Sequence, residues 1–191
     1  DEVITGFRLG LDGAQGHFGV TPDISTLGKA VAGGMPFSAV VGKAEVLDQL
    51  QHGTVLGPGT FNGYPLGMRA ALATLRILER NGGAVYQEME ALQADLMRGL
   101  QELAERHGLP MRIQGARGVF FTMFGLDADS VAYTDEDLEG LDFNLYLKFW
   151  AGMQQEGVIT LVGGRWYPSI AHTRADVDQT LEAADRVMAG M

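Results

Sequence analysis

Three lysines occur in the 191 residues, at positions 29, 43 and 148, and the surroundings of Lys29 set it apart. It stands in Asp23-Ile24-Ser25-Thr26-Leu27-Gly28-Lys29-Ala30-Val31-Ala32-Gly33-Gly34-Met35-Pro36, where no other charged residue lies between Asp23 and Lys43. An amine with no local carboxylate, among small and apolar neighbours, is a candidate nucleophile for a carbonyl. The plainer reading of the same residues is a surface lysine in a glycine-rich loop. A P-loop is excluded, because Asp23 and Ala30 occupy the places where that motif needs Gly and Ser or Thr. Two further pieces carry weaker signals. Asp1-Glu2-Val3, followed by Thr5-Gly6-Phe7-Arg8, is a carboxylate pair of the kind found where a strand ends at a cleft. Gly57-Pro58-Gly59-Thr60-Phe61-Asn62-Gly63-Tyr64-Pro65 is a tight turn entering a helix, where backbone N–H groups and a hydroxyl can hold an anion such as phosphate. The histidines at 17, 52, 107 and 172 show no ligand spacing, and cysteine is absent, so no metal site is expected.

The elements that must position these residues change character along the chain. Fourteen of the 27 glycines fall in residues 1–67, which read as short apolar stretches broken by turns. From Asn62 onward helical patterns take over. Residues 64–80 form a helix with Pro65 in its first turn and Asn81-Gly82-Gly83 as its stop. A second helix covers about 84–107, with apolar residues at Val85, Met89, Leu92, Leu96, Leu100 and Leu103. Residues 111–114 and 118–124 read as strands, with Phe120, Phe121 and Phe124 expected in the core. Asp127 to Glu139 reads as an acidic surface loop, Phe143 to Gln155 as a helix, and 158–162 and 166–171 as two more strands across Gly163-Gly164. Thr173, with Asp176 three residues on, starts a last helix. No internal repeat stands out. Residues 84–191 therefore predict a compact α+β unit with helices covering an antiparallel sheet. The first part reads as one edge of a larger α/β layer.

Composition narrows the function classes. Twenty-four acidic against 14 basic residues leave a net charge of −10, which argues against a nucleic-acid partner. No apolar run approaches the ~20 residues of a membrane span, and no signal-peptide pattern opens the sequence. The hydrophobic fraction of 46% is enough for a packed core. The absence of cysteine favours a reducing, cytoplasmic location only weakly. An opening Asp1 with no initiator Met leads to the expectation of a piece of a longer polypeptide.

Taken in order and spacing, Asp1-Glu2-Val3-x-Thr5-Gly6-Phe7-Arg8, Pro22-Asp23-(x)5-Gly28-Lys29-(x)3-Gly33-Gly34-x-Pro36 and Gly59-Thr60-Phe61-x-Gly63-x-Pro65-Leu66 resemble the class III family of pyridoxal-phosphate aminotransferases. Within it the sequence is most similar to the glutamate-1-semialdehyde aminomutases and related amino-acid aminotransferases. The resemblance runs along the whole chain. It implies a fold type I α/β architecture, with residues 1–82 as the C-terminal part of the large cofactor-binding domain and 83–191 as the small domain. It also implies roles. Lys29 would form the Schiff base with pyridoxal 5'-phosphate and then move the substrate's proton. Asp1 would pair with the ring nitrogen, Val3 would pack on a ring face, and Thr60 would reach the phosphate bound to a neighbouring subunit, which calls for a homodimer. The family's Gly-Ser phosphate loop and stacking aromatic lie upstream of the DEV motif, so the chain alone is expected to be weakly active or inactive.

Substrate choice follows less directly. Where the aminomutases are expected to carry an acidic residue after the strand at 158–162, this sequence has Gly163-Gly164-Arg165-Trp166-Tyr167. An arginine there suits a substrate carboxylate held bidentately, and Trp166 and Tyr167 would wall an apolar pocket. A surface arginine beside two strand aromatics fits the same residues. The departure favours a transaminase acting on an amino acid and a keto acid. An aminomutase is the first alternative, and a truncated, dimerising remnant without catalysis is the second.

Overall fold

Short elements dominate the glycine-punctuated part of the chain: helix α1 (Gly13–Phe18), strand β1 (Ile24–Leu27), a 3-10 turn at Lys29–Ala32, strand β2 (Ala39–Gly42) and helix α2 (Ala44–Gln51). The structure, a computed structural model, describes residues 1–191 apart from the side chain of Gln51. β1 and β2 pair antiparallel, from Ile24 opposite Gly42 to Leu27 opposite Ala39. A Cβ on residue 42 would lie 2.3 Å from the Asp23 carbonyl oxygen, so glycine is what allows the strands to approach there. α2 is an eight-residue helix that the turn-rich reading did not anticipate. Ala, Glu, Leu and Gln favour helix in its span, where no Gly or Pro interrupts them.

Helix α3 (Pro65–Glu79) starts with its proline at the first position and ends in a turn at Arg80–Gly83, where Asn81 and Gly82 take left-handed backbone angles. Its Ala71 packs with Val31 and Ala32 of the 3-10 turn, flanked by Phe7, Phe37, Ala70 and Leu75. These contacts lie in the first of two compact units, Asp1–Tyr86; the second is Gln87–Met191.

The second unit is built on a three-stranded antiparallel sheet in the order β3 (Met111–Ala116), β4 (Val119–Phe124), β5 (Arg165–Trp166). Helices α4 (Ala84–Arg106), α5 (Phe143–Gln155) and α6 (Arg174–Ala189) supply its core with the strands: Leu96, Leu100 and Leu103 from α4, Phe120 and Phe124 from β4, Phe149 and Met153 from α5, Val177 and Ala184 from α6. The 3 to 4 spacing in α4 and the alternation in β4 account for this set. Phe121, on the other face of β4, is 37% exposed, so alternation removes it from the core expected for all three phenylalanines. Gln93 is buried on α4 and ties it to the β3–β4 hairpin, donating to Ala116 O (2.9 Å) and accepting from Gly118 N (2.7 Å). Asp142 caps α5 by accepting from Leu145 N, and Thr173 and Asp176 form the expected capping box on α6.

Residues 158–162 correct the sequence reading: they form no strand, and β5 is two residues long. Two of its carbonyls, those of Thr160 and Leu161, are taken by side chains of α5 instead. Trp150 Nε1 and Gln154 Nε2 both donate to Thr160 O at 3.1 Å, and the Tyr146 hydroxyl donates to Leu161 O at 2.5 Å. Apolar, β-branched residues are present in Val158-Ile159-Thr160-Leu161-Val162, but Ile159 is 88% exposed. Periodicity alone could not show that helix side chains replace a neighbouring strand as partners. Among the described residues no helix is long and apolar enough to cross a membrane.

Candidate active site

Lys29 follows β1 by one residue and opens the 3-10 turn with a φ of +46°, in the left-handed region. Only Phe7 and Asn81 share that property among the described non-glycine residues. A side chain with a Cβ costs about 1–2 kcal/mol there. The surrounding structure holds it, since Gly28 is buried before it and Val31 and Ala32 are buried after it. Strain of this kind concentrates where a side chain must be presented in one direction. The Lys29 side chain is exposed, and among the described residues it enters no ion pair, whereas Lys43 pairs with Asp23 at 2.6 Å.

Strand β1 also places the Asp1-Glu2-Val3 segment. Glu2 N donates to Thr26 O (2.8 Å), and Glu2 forms a parallel bridge with Leu27. Asp1 Oδ1 accepts from Val3 N (2.8 Å) and from the Thr26 hydroxyl (3.1 Å), while Oδ2 has no hydrogen bond among the described residues. Val3 lies against the backbone of Gly28, its Cγ1 only 3.4 Å from where a Cβ at 28 would be. Asp1, Val3 and Lys29 are thus fastened to one strand end, two of them through Thr26 and Gly28.

The carboxylate pair divides in two. Asp1 is exposed, whereas Glu2 is 5% exposed and turned inward. Glu2 accepts from the Thr5 hydroxyl, Ala14 N (3.0 Å) and Gln15 N (2.8 Å), closing the first turn of α1. Burial pushes its carboxyl up, but the Thr5 hydroxyl, the two amides and the N-terminal ammonium outweigh this and hold it below the ordinary 4.5. Glu2 is therefore a structural residue. Thr26 is the residue that sequence reasoning passed over, because its partner lies 25 positions away.

Thr60 sits in the exposed turn at Gly59–Gly63, where Asn62 N donates to Gly59 O (3.0 Å) and Asn62 Nδ2 to Gly57 O (2.8 Å). No hydrogen bond joins Thr60 to Asp1, Val3 or Lys29 among the described residues. Arg165, in the second unit, lies opposite Phe121 on β4 and is exposed. It lines a cleft of about 310 Å³ with Leu92, Leu96, Trp166, Tyr167 and Val177. Trp166 stacks on Phe120 at 5.5 Å between ring centres and donates to the Thr122 hydroxyl (3.2 Å), so its place in the wall is fixed. Arg165 enters no ion pair among the described residues.

The first unit offers an unpaired amine, a carboxylate with one oxygen free and an apolar methyl surface at one strand end; the second unit, by itself, offers a guanidinium in a mixed cleft. Known proteins match the chain along its whole length. The family model described as Aminotransferase class-III matches residues 1–188. A glutamate-1-semialdehyde 2,1-aminomutase of Thermomicrobium roseum is 38% identical over 192 aligned residues, covering 99% of this chain and 44% of that protein. Among solved structures, the FumI protein of a Sphingopyxis strain, in its pyridoxal-phosphate internal aldimine form, is 31% identical with a TM-score of 0.82, over 100% of this chain and 42% of that one. A β-phenylalanine aminotransferase from Variovorax paradoxus is 28% identical with a TM-score of 0.81, over 100% and 43%. The chain spans less than half the length of these relatives and shares their α/β transaminase fold along its own whole length. It belongs to the class-III aminotransferase family.

Proposed function

We propose that the chain carries the lysine-bearing part of a pyridoxal-phosphate aminotransferase that passes an amino group between an amino acid and a keto acid. The observation that supports this most is the unpaired Lys29 amine, held on a left-handed backbone beside Asp1 and Val3. The donor set suits the cofactor: an amine for its aldehyde, a carboxylate oxygen free for a ring N–H, and an apolar methyl surface for a ring face. When bound, pyridoxal phosphate supplies the aldehyde and a protonated ring that draws off the electron pair released from the substrate. Lys29 would hold the cofactor covalently and, once displaced by the incoming amine, would take up and return the substrate's proton at Nζ. Asp1 would keep the ring nitrogen protonated, and Val3 would support the ring. Thr60 is assigned to the phosphate in a neighbouring subunit, so the working form is a homodimer. Arg165 binds a substrate carboxylate through two N–H groups. In this reading residues 1–82 belong to the large domain and 83–191 to the small one. The chain spans less than half the length of its relatives, so full activity is proposed for a polypeptide of their length.

Adding pyridoxal phosphate to the purified chain tests the reading. A visible imine band that borohydride fixes onto Lys29 is the expected result, lost in Lys29→Ala while the circular dichroism stays the same. A silent 191-residue chain beside a coloured upstream-extended version would assign the activity to the longer polypeptide. Silence from both would overturn the proposal. The 38% identity to an aminomutase supports a second reading, in which amino donor and acceptor are successive forms of one substrate. Consumption of a keto acid by the extended protein separates the two.

A further inference from the structure

We infer that Thr26 is a positioning residue for the Asp1 carboxylate, turning its free oxygen toward the ring nitrogen of the cofactor. The inference rests on the functional reading above. Both hydrogen bonds that Asp1 accepts fall on Oδ1, one from Val3 N at 2.8 Å and one from the Thr26 hydroxyl at 3.1 Å. An ionised carboxylate has about four acceptor positions, two per oxygen. Oδ1 is therefore saturated and fixed from two directions, while Oδ2 keeps its full accepting capacity. One bond would leave the group free to swing about its Cβ; two on the same oxygen define which way the other faces.

Thr26 is suited to the task by its place. It lies within β1 opposite Val40, and its own carbonyl accepts from Glu2 N at 2.8 Å. The same residue thus grips the Asp1-Glu2 segment by main chain and side chain, and the main-chain bond sets the register for the side-chain one. β-branching restricts χ1, so the hydroxyl is presented with little rotamer freedom to lose. Val has the same shape and strand preference without the donor, which makes Thr26→Val a clean removal of the hydroxyl alone.

The experiment compares the parent chain, Thr26→Val and Thr26→Ser by two magnetic-resonance readouts. With pyridoxal phosphate labelled at its ring nitrogen, Thr26→Val should lose the ring proton at a lower pH than the parent and retain the cofactor about tenfold less well, the loss expected for a hydrogen bond to a charged group. Thr26→Ser should restore both. Without cofactor, the Asp1 carboxyl carbon signal should move in Thr26→Val and return in Thr26→Ser. A Val variant that binds less well but keeps the parent's ring protonation would overturn the inference, as would an Asp1 signal that does not respond. If neither the parent nor its upstream-extended version takes up cofactor, the functional reading is what fails, and the Asp1 signal still decides whether Thr26 holds the carboxylate.

Discussion

Lys29 occupies backbone angles that glycine adopts freely, so the fold keeps an amine there at a cost in stability. Replacing it by glycine should therefore leave a more stable chain than replacing it by alanine, by about 1 kcal/mol in urea unfolding. Equal stabilities would show that the left-handed turn relaxes on substitution. Glu2 makes the opposite case, a carboxylate whose interactions stabilise the fold. Its folded-state value lies below the ordinary 4.5, so its contribution is fully present above about pH 5 and is lost as the pH falls through the folded value. Glu2→Gln should cost about 1–3 kcal/mol near neutrality. The difference from the parent should shrink in acid, as followed by urea unfolding at several pH values. The isolation of Lys29 is legible in the sequence because charge is a local property. The division of labour between Asp1 and Glu2 is not, because it depends on which of two adjacent residues meets the turn at Ala14 and Gln15.

Helix packing in the second unit turns on two glycines with different neighbours. A Cβ at Gly152 in α5 would lie 2.6 Å from Val187 Cγ1, and one at Gly99 in α4 would lie 2.6 Å from the Leu181 methyl carbons. Valine on a helix has essentially one rotamer, whereas the Leu181 methyls are at the end of a chain that can turn away. Gly152→Ala should destabilise by about 1–3 kcal/mol, relieved in combination with Val187→Ala. Gly99→Ala should be close to neutral, because the gain of about 1 kcal/mol in helix propensity offsets the adjustment of Leu181. Thermal unfolding of the three variants checks both. The α4, α5 and α6 spans were readable from the 3 to 4 spacing and the capping residues, since helices close their own hydrogen bonds locally. The segment at 158–162 was not, since its hydrogen bonds are supplied by α5.

Across the whole chain the two units differ in how much apolar surface they bury. The core cluster of the first consists of Val31, Ala32 and Ala71, while that of the second runs through all three strands and three helices. Amide hydrogen exchange should follow this division, with β3, β4 and the adjoining turns of α4 protected far more strongly than β1 and β2. Comparable protection in both would mean that the small cluster is not what holds the first unit. The family was legible from three separated motifs, and the fold followed from it. The sequence could not show that Asp1 and Val3 meet the end of β1, a contact made across more than 20 residues. The clamp on residues 158–162 has a further consequence for how such a protein changes over time. Trp150, Gln154 and Tyr146 hold this segment by its carbonyl oxygens alone, which every amino acid possesses. The exposed side chains of Ile159, Leu161 and Val162 can therefore be exchanged without altering these bonds, while Val158, packed against the core, anchors the start of the segment.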